Sequence, residues 1–405
     1  MVFVLSDILQ LLIGQTDGGI FGQIINIIIL LLFFSLYSKI ILQQTLMKLE
    51  QSVIQLDKIA LKAENEVLKK LKNVDKKTRK SIKRFLEFYA IPPVSLDPFG
   101  LVKKYDHIIT LEKKRFKYFV SQIAPHASEE ERANIVMGLS GAIELNMLRK
   151  VVRHYVETIK KTKNFSLIFI VQLQLPFIER IAKSLLKGTE ALTNGWPIGD
   201  GIGPYVAAKL AENEKVYEID EETVSVRKKY KSRELIIIKA KGPGGRTGNP
   251  GKALKKIIEK EKIAKIITID AAAKLEGERT GEVAEGVGVA MGGIGVERYE
   301  IEEIAVNNNI PLDSIIIKMG QEEAIMPMAK SILDASNEAI ELVYEAIDRT
   351  EEKGKIVIIG VGNTCGIGNN SKNLDKVEEL IKSNAKKLEL EEKAKKKKFK
   401  IPLFE

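Results

Sequence analysis

Four short runs of β-branched residues, at 233–240, 264–269, 313–318 and 355–361, constrain what this chain can fold into. Their centres are apolar at successive rather than alternate positions. That is the pattern of strands covered on both faces, and such strands sit in parallel sheets with helices on either side. Helical patterns at 250–262 and 321–350 lie between some of them. The expected fold class is α/β, a mostly parallel, helix-covered sheet over residues 193–375.

The N-terminal half has a different texture. Residues 18–38 carry no charge and are almost all Ile, Leu and Phe from 20 to 37. At 1.5 Å per residue such a helix spans roughly 30 Å, a bilayer core. Neither a basic segment before it nor a small-residue cleavage site after it suggests a signal peptide. Asp7 and Asp17 precede the run, whereas residues 39–84 hold 13 Lys/Arg against 5 Asp/Glu. The positive-inside rule then predicts a single membrane span within a 1–38 segment, with the C-terminal bulk cytoplasmic.

Within 39–84, residues Leu42, Leu46, Leu49, Val53, Leu56, Ala60, Ala63 and Val67 form a heptad seam. It predicts either a coiled coil joining copies of the chain or one long helix packed on the chain's own domain. The lysines beyond the seam suit anionic head groups or water equally. Residues 85–192 read as helical, and their uncharged stretch 164–178 is short for a span. Residues 376–405 read as a basic helical tail.

Net charge is +10 over 405 residues, but the 39–84 and 386–400 segments contribute +8 and +5, so the remainder is slightly acidic. No nucleic-acid partner is expected for the main domain. The single cysteine, Cys365, excludes a disulfide framework, and His107, His126 and His154 have no ligand spacing.

Three loops in the α/β region carry unusual chemistry. Asn194 to Pro204 is glycine-rich and puts Asp200 at a helix start, where it reads either as a functional acid or as a cap. Residues 242–251 join a strand to a helix and offer amides to an anion without a Walker ending. Asp270, in Ile269-Asp270-Ala271-Ala272-Ala273-Lys274, stands at the carboxyl end of a strand, the edge where open α/β sheets bind ligands. A fourth glycine-dense stretch, 286–295, lacks the strand and helix order of a dinucleotide site.

Taken in order, Asp200-Gly201-Ile202-Gly203-Pro204, Gly242-Pro243-Gly244-Gly245-Arg246-Thr247-Gly248, the Asp270 strand end and the strand at Ile315 resemble the spore germination protease family. Hydrogenase maturation endopeptidases share that fold. The whole chain also looks like an archaeal membrane-protein family of no established activity. The resemblance implies that Asp200 and Asp270 are the two functional acids. It implies further that Gly199, Gly201, Gly203, Gly244, Arg246, Thr247, Lys274 and Asn363 line the ligand. The metal-binding relatives complete their site with a histidine, and residues 193–375 contain none.

Two carboxyl groups brought together can divide the work of base and acid. Alternatively Asp200 and Asp270, joined by Glu282 or Glu285, can hold a divalent metal that activates water. Both schemes imply hydrolysis, with an unidentified protein or peptide as substrate. The competing reading is a silent membrane scaffold that binds a small ligand or protein through its glycine-rich face. The protease families place a strand ending Gly-x-Gly-Asn before the acidic loop. Here that string, Gly360 to Asn363, comes late, which predicts a circular permutation with 355–361 as a central strand.

Overall fold

The structure, a computed structural model, describes residues 19–72, 74–90, 92, 100–290 and 295–398. The expectations for Asp7, Asp17 and the end of the basic tail lie outside these residues, as do residues 93–99 of the expected helical region and part of the 286–295 stretch. The chain divides into two compact units. One holds residues up to Asp57 with Arg149–Glu179, and the other holds Lys58–Leu148 with Arg180–Glu405.

Five helices come first, α1 (Gly19–Lys69), α2 (Lys76–Phe85), α3 (Leu101–Ile123), α4 (Glu129–Thr162) and α5 (Phe165–Asn194). In the first unit α1 meets α4 through Asp57, which pairs with Arg149 at 3.1 Å and with Arg153, and through Glu50 to Lys160 at 2.7 Å. It meets α5 where the Ser52 hydroxyl donates to Glu179 at 2.7 Å. The heptad seam is occupied by the chain itself. Leu49, Val53, Leu56, Ala63 and Val67 are all buried within the single chain. Leu42, Leu46 and Ala60 of the seam are half-buried, so most of the seam packs within the chain itself.

Among the described residues no helix is long and apolar enough to cross a membrane. The uncharged stretch 18–38 falls mostly outside the described side chains, although Ile24, Ile27, Ile28, Ile29, Leu31 and Leu32 are exposed on α1.

The second unit contains a seven-stranded sheet in the order β1-β2-β3-β7-β4-β6-β5. Its strands are β1 (Val216–Asp220), β2 (Thr223–Tyr230), β3 (Arg233–Ala240), β4 (Ile263–Ala273), β5 (Val283–Val287), β6 (Leu312–Met319) and β7 (Lys355–Gly360). β3, β7, β4 and β6 run parallel, while β1, β2 and β5 add antiparallel edges. The four expected strands are the four parallel ones, and β4 is longer than its sequence pattern suggests.

Helices cover both faces. On one side α6 (Ile202–Leu210), α10 (Lys330–Asp334), α11 (Ser336–Asp348) and α12 (Leu374–Lys398) bury Tyr205, Ile332, Val343 and Ile381 against Ile237, Ile269 and Ile358. On the other, α7 (Pro250–Ile258) and α8 (Val296–Asn307) bury Leu254 and Ile301 against Ile238, Ile266 and Ile359. The expected helix over 321–350 is three helices. The first, α9 (Gln321–Ile325), ends where Met326, Pro327 and Met328 run extended beside Pro197 to Gly199, joined by the Ile198 to Pro327 bridge. Pro327 has no amide proton with which to continue a helix.

β7 is the centre of the sheet. Ile356, Val357, Ile358 and Ile359 are fully buried, alternating between the two cores, and each such side chain contributes about 1.5–3 kcal/mol. Ile358→Ala is expected to lower unfolding free energy by about 2–5 kcal/mol. Val287→Ala, on the exposed edge strand β5, should stay within about 0.5 kcal/mol. Denaturant titration of both variants checks the difference, and equal losses would contradict a central β7.

Candidate active site

The site is built where β7 stops and β4 continues. Gly360 is the last paired residue of β7, opposite Lys239 on β3 and Ile269 on β4. The Val361 amide still donates to the Ile269 carbonyl at 2.9 Å, and then the chain leaves the sheet. β4 runs on, so Asp270 to Ala273 pair only with Ile316 to Met319 of β6. Asp270 is thus the first residue of β4 beyond the end of its central neighbour.

Asp200 reaches the same place from above. It sits in a 3-10 turn, Gly199–Gly201, that leads directly into α6. It caps neither helix with its side chain. Its Oδ2 accepts the backbone N–H of Asn363 at 2.8 Å, across the end of β7. This approach depends on missing side chains. A Cβ on Gly203 would lie 2.2 Å from the Val361 carbonyl oxygen and 2.4 Å from that of Ile269. Gly362, at φ 129°, would put a Cβ 1.9 Å from the carbonyl oxygen of Asp200 itself. The glycines of the first loop do permit close backbone approach, as their pattern suggests, but what they approach is the chain's own backbone.

The two carboxyl groups differ in their surroundings. Asp270 is 3% exposed; its Oδ1 accepts the Ala271 N–H at 2.7 Å, and its Oδ2 is buried with no partner. Burial holds the Asp270 carboxyl well above the usual carboxylate range, and the negative charge of Asp200 raises it further. Burial also raises Asp200, but the Asn363 N–H stabilises its charged form and pulls the other way. The two groups interact, and Asp270 holds its proton more tightly than Asp200, whose charged form has a backbone N–H to stabilise it. Asn363 is 2% exposed, and its Oδ1 accepts the Cys365 N–H at 2.9 Å, which fixes the loop that serves Asp200.

The second loop does different work from that expected. Gly244 N–H donates to Glu130 Oε2 at 2.6 Å, and Gly245 N–H donates to Asn134 Oδ1 at 2.8 Å. The Arg246 guanidinium, almost wholly buried, pairs with Glu130 and with Glu129 at 3.1 Å. Carboxylates from the first turn of α4 therefore stand where an anionic ligand would, and Gly244 and Arg246 are a structural clamp. Thr247 is exposed and makes no contact with either aspartate. At the start of α7, Glu297 Oε2 takes the Gly251 N–H at 2.9 Å, so this helix end is filled as well.

Lys274 lies in the turn after β4, with Nζ 3.4 Å from the Glu278 carbonyl oxygen and no bond to the aspartates. Glu282 does not join the pair either, because it faces Lys318 at 2.9 Å, and Glu285 is held by Arg349. Among the described residues no group of three or more His, Cys, Asp or Glu is placed to hold a metal. The donor set at Asp200 and Asp270 thus does not fit the three-carboxylate metal site expected from the sequence.

Residues 23–195 match the N-terminal domain, and residues 198–368 the C-terminal domain, of a protein family of unknown function, DUF1512. The chain belongs to the DUF1512 family. No protein of curated function matches it. Asp200, Asp270 and Asn363 all fall in the C-terminal DUF1512 domain. Glu129, Glu130 and Asn134, which clamp the loop at 244–246, belong to the N-terminal one.

One neighbour escaped the sequence reading. Lys239 is 2% exposed at the end of β3, level with Gly360, and its Nζ donates to the Ala240 carbonyl at 2.8 Å. Burial lowers it to about 7. Strand alternation was the available signal, since residue 239 shares a face with the buried Leu235 and Ile237.

An acid whose folded pKa is raised binds its proton more tightly in the folded chain. Its stabilising effect is full below the unfolded value of about 3.9 and is lost as pH rises toward the folded value. Asp270→Asn, which mimics the protonated acid, is expected to raise Tm at neutral pH, at about 2–4 °C per kcal/mol. It should bring no gain in acid. Thermal melts of both proteins across pH check this, and a neutral-pH loss of stability would contradict the buried-proton assignment.

Proposed function

We propose that this chain is a hydrolase in which Asp200 and Asp270 act as a coupled carboxyl pair on a peptide bond. The observation that carries the reading is the buried, unpartnered Oδ2 of Asp270 beside the charge of Asp200. Asp200, ionised and oriented by Asn363, takes a proton from the attacking water. Asp270 holds a proton and gives it to the departing amine. A peptide suits the geometry because β4 has no strand partner on its β7 side from Ala271 to Ala273, where the Ala271 N–H meets only the Asp270 side chain. An extended chain can add there as a strand, with its backbone beside the pair.

The resemblance to germination proteases supports the same two acids. On that reading the late strand β7 fills the place of the protease family's first strand, a circular permutation consistent with its position between β3 and β4. Attachment to a bilayer through residues 18–38 is part of the proposal. It is supported by the absence of charge there and by the exposed isoleucines of α1.

The test uses the full chain recovered in salt-washed membranes and a set of fluorogenic peptides. Peptide cleavage is expected in that fraction. Asp200→Asn and Asp270→Asn should each cut turnover at least ~100-fold, within the range a positioned acid or base contributes. Cleavage that survives both changes would reject the pair. Release of the intact chain by salt alone would reject the anchor.

A further inference from the structure

A cavity of about 440 Å³ lies in the second unit, away from the aspartates, among the ends of α1, α3 and α5 and the starts of α2 and α4. Its size falls in the range of small-molecule sites. Lys70, Lys72 and His126 line it with exposed side chains, and none of these three side chains has an ion-pair or hydrogen-bond partner among the described residues. The two acids on its wall are already engaged. Asp75 Oδ1 accepts the Thr78 N–H at 2.7 Å as the cap of α2, and Glu131 Oε2 accepts the Ser128 N–H at 2.8 Å. Those bonds hold both carboxylates below the usual range, and for Glu131 the charges of Lys72 and Lys70 add to the lowering.

Asn134 also lines the cavity. Its Oδ1 accepts the Gly245 N–H at 2.8 Å and the Cys365 S–H at 3.5 Å, and its Nδ2, beside Gly195, has no acceptor among the described residues. Two ammonium groups, an imidazole and a side-chain amide, none of them within hydrogen-bond or ion-pair distance of an acceptor among the described residues, make a donor set that matches several oxygens of one anion.

We propose that this cavity binds a small soluble phosphate-bearing anion through Lys70, Lys72, His126 and Asn134. The site is independent of the hydrolase reading, since neither Asp200 nor Asp270 lines it. Asn134 nevertheless links it to the loops at 244–246 and 363–365, the second of which donates to Asp200.

The chain's single tryptophan, Trp196, follows Asn194 of the cavity wall by two residues and serves as a reporter. Inorganic pyrophosphate, titrated into the full chain at constant ionic strength, is expected to change Trp196 fluorescence saturably and to raise Tm. The double variant Lys70→Ala with Lys72→Ala removes only exposed side chains. It should keep the ligand-free Tm and weaken binding at least tenfold, whereas Lys376→Ala, outside the cavity, should leave binding unchanged. No saturable response, equal affinity in the double variant, or binding to anionic vesicles without binding to pyrophosphate would each overturn the proposal.

Discussion

The structure depends on a strand that comes late in the chain and lies at the middle of the sheet. β7 pairs in parallel with β3 on one side and β4 on the other, and four consecutive residues, Ile356 to Ile359, are fully buried. Everything N-terminal to it in the sheet must wait for this strand to close the two cores. Parallel pairing across such sequence separation carries a large loop-closure cost before any contact repays it. The end of β7 is as important as its middle. Because it stops at Gly360 while β4 continues, the sheet has a notch, and the turn bearing Asp200 fills one side of that notch with the help of Gly203 and Gly362.

Two like-charged groups held together out of water are unfavourable, and a fold that does this must offset the cost elsewhere. Here one carboxyl group is given a backbone N–H, from Asn363, and the other is given none at Oδ2. The asymmetry sets which group keeps the proton. The contrast with the 242–248 loop is instructive. There the Gly244 and Gly245 amides and the two terminal nitrogens of Arg246 meet Glu129, Glu130 or Asn134, while the buried Arg246 Nε makes no hydrogen bond among the described residues and stands 3.5 Å from the Glu222 carboxylate. In that loop opposite charges face one another, whereas in the Asp200 and Asp270 notch two carboxyl groups share a buried space with no cation among the described residues paired to either.

Much of this was legible in the sequence, for physical reasons. Strands buried on both faces need continuous apolar runs, so β3, β4, β6 and β7 stood out. β1, β2 and β5 did not, because their exposed positions carry residues such as Arg227 and Glu285 that blur the pattern. Asp200 and Asp270 were readable from glycine spacing and from a strand end. The partners of Gly244 and Arg246 were not readable, because Glu129 and Glu130 lie more than a hundred residues away and no local pattern announces them. Glu282 was misplaced for the same reason, since a proximity in sequence to Asp270 says nothing of the pull of Lys318. The seam on α1 was correctly apolar, but a heptad pattern alone does not say whether its partner is another copy or the chain's own helices.

The central claim is that Asp200 and Asp270 share one proton at neutral pH. Site-resolved carbon NMR of the two side-chain carboxyl groups, titrated from acid to neutral, tests it most directly. The account predicts that the Asp270 signal moves only well above the usual carboxylate range, and that Asp200→Asn brings that transition down by removing the neighbouring charge. Two independent transitions at ordinary aspartate values, unchanged when the other acid is replaced, would contradict it.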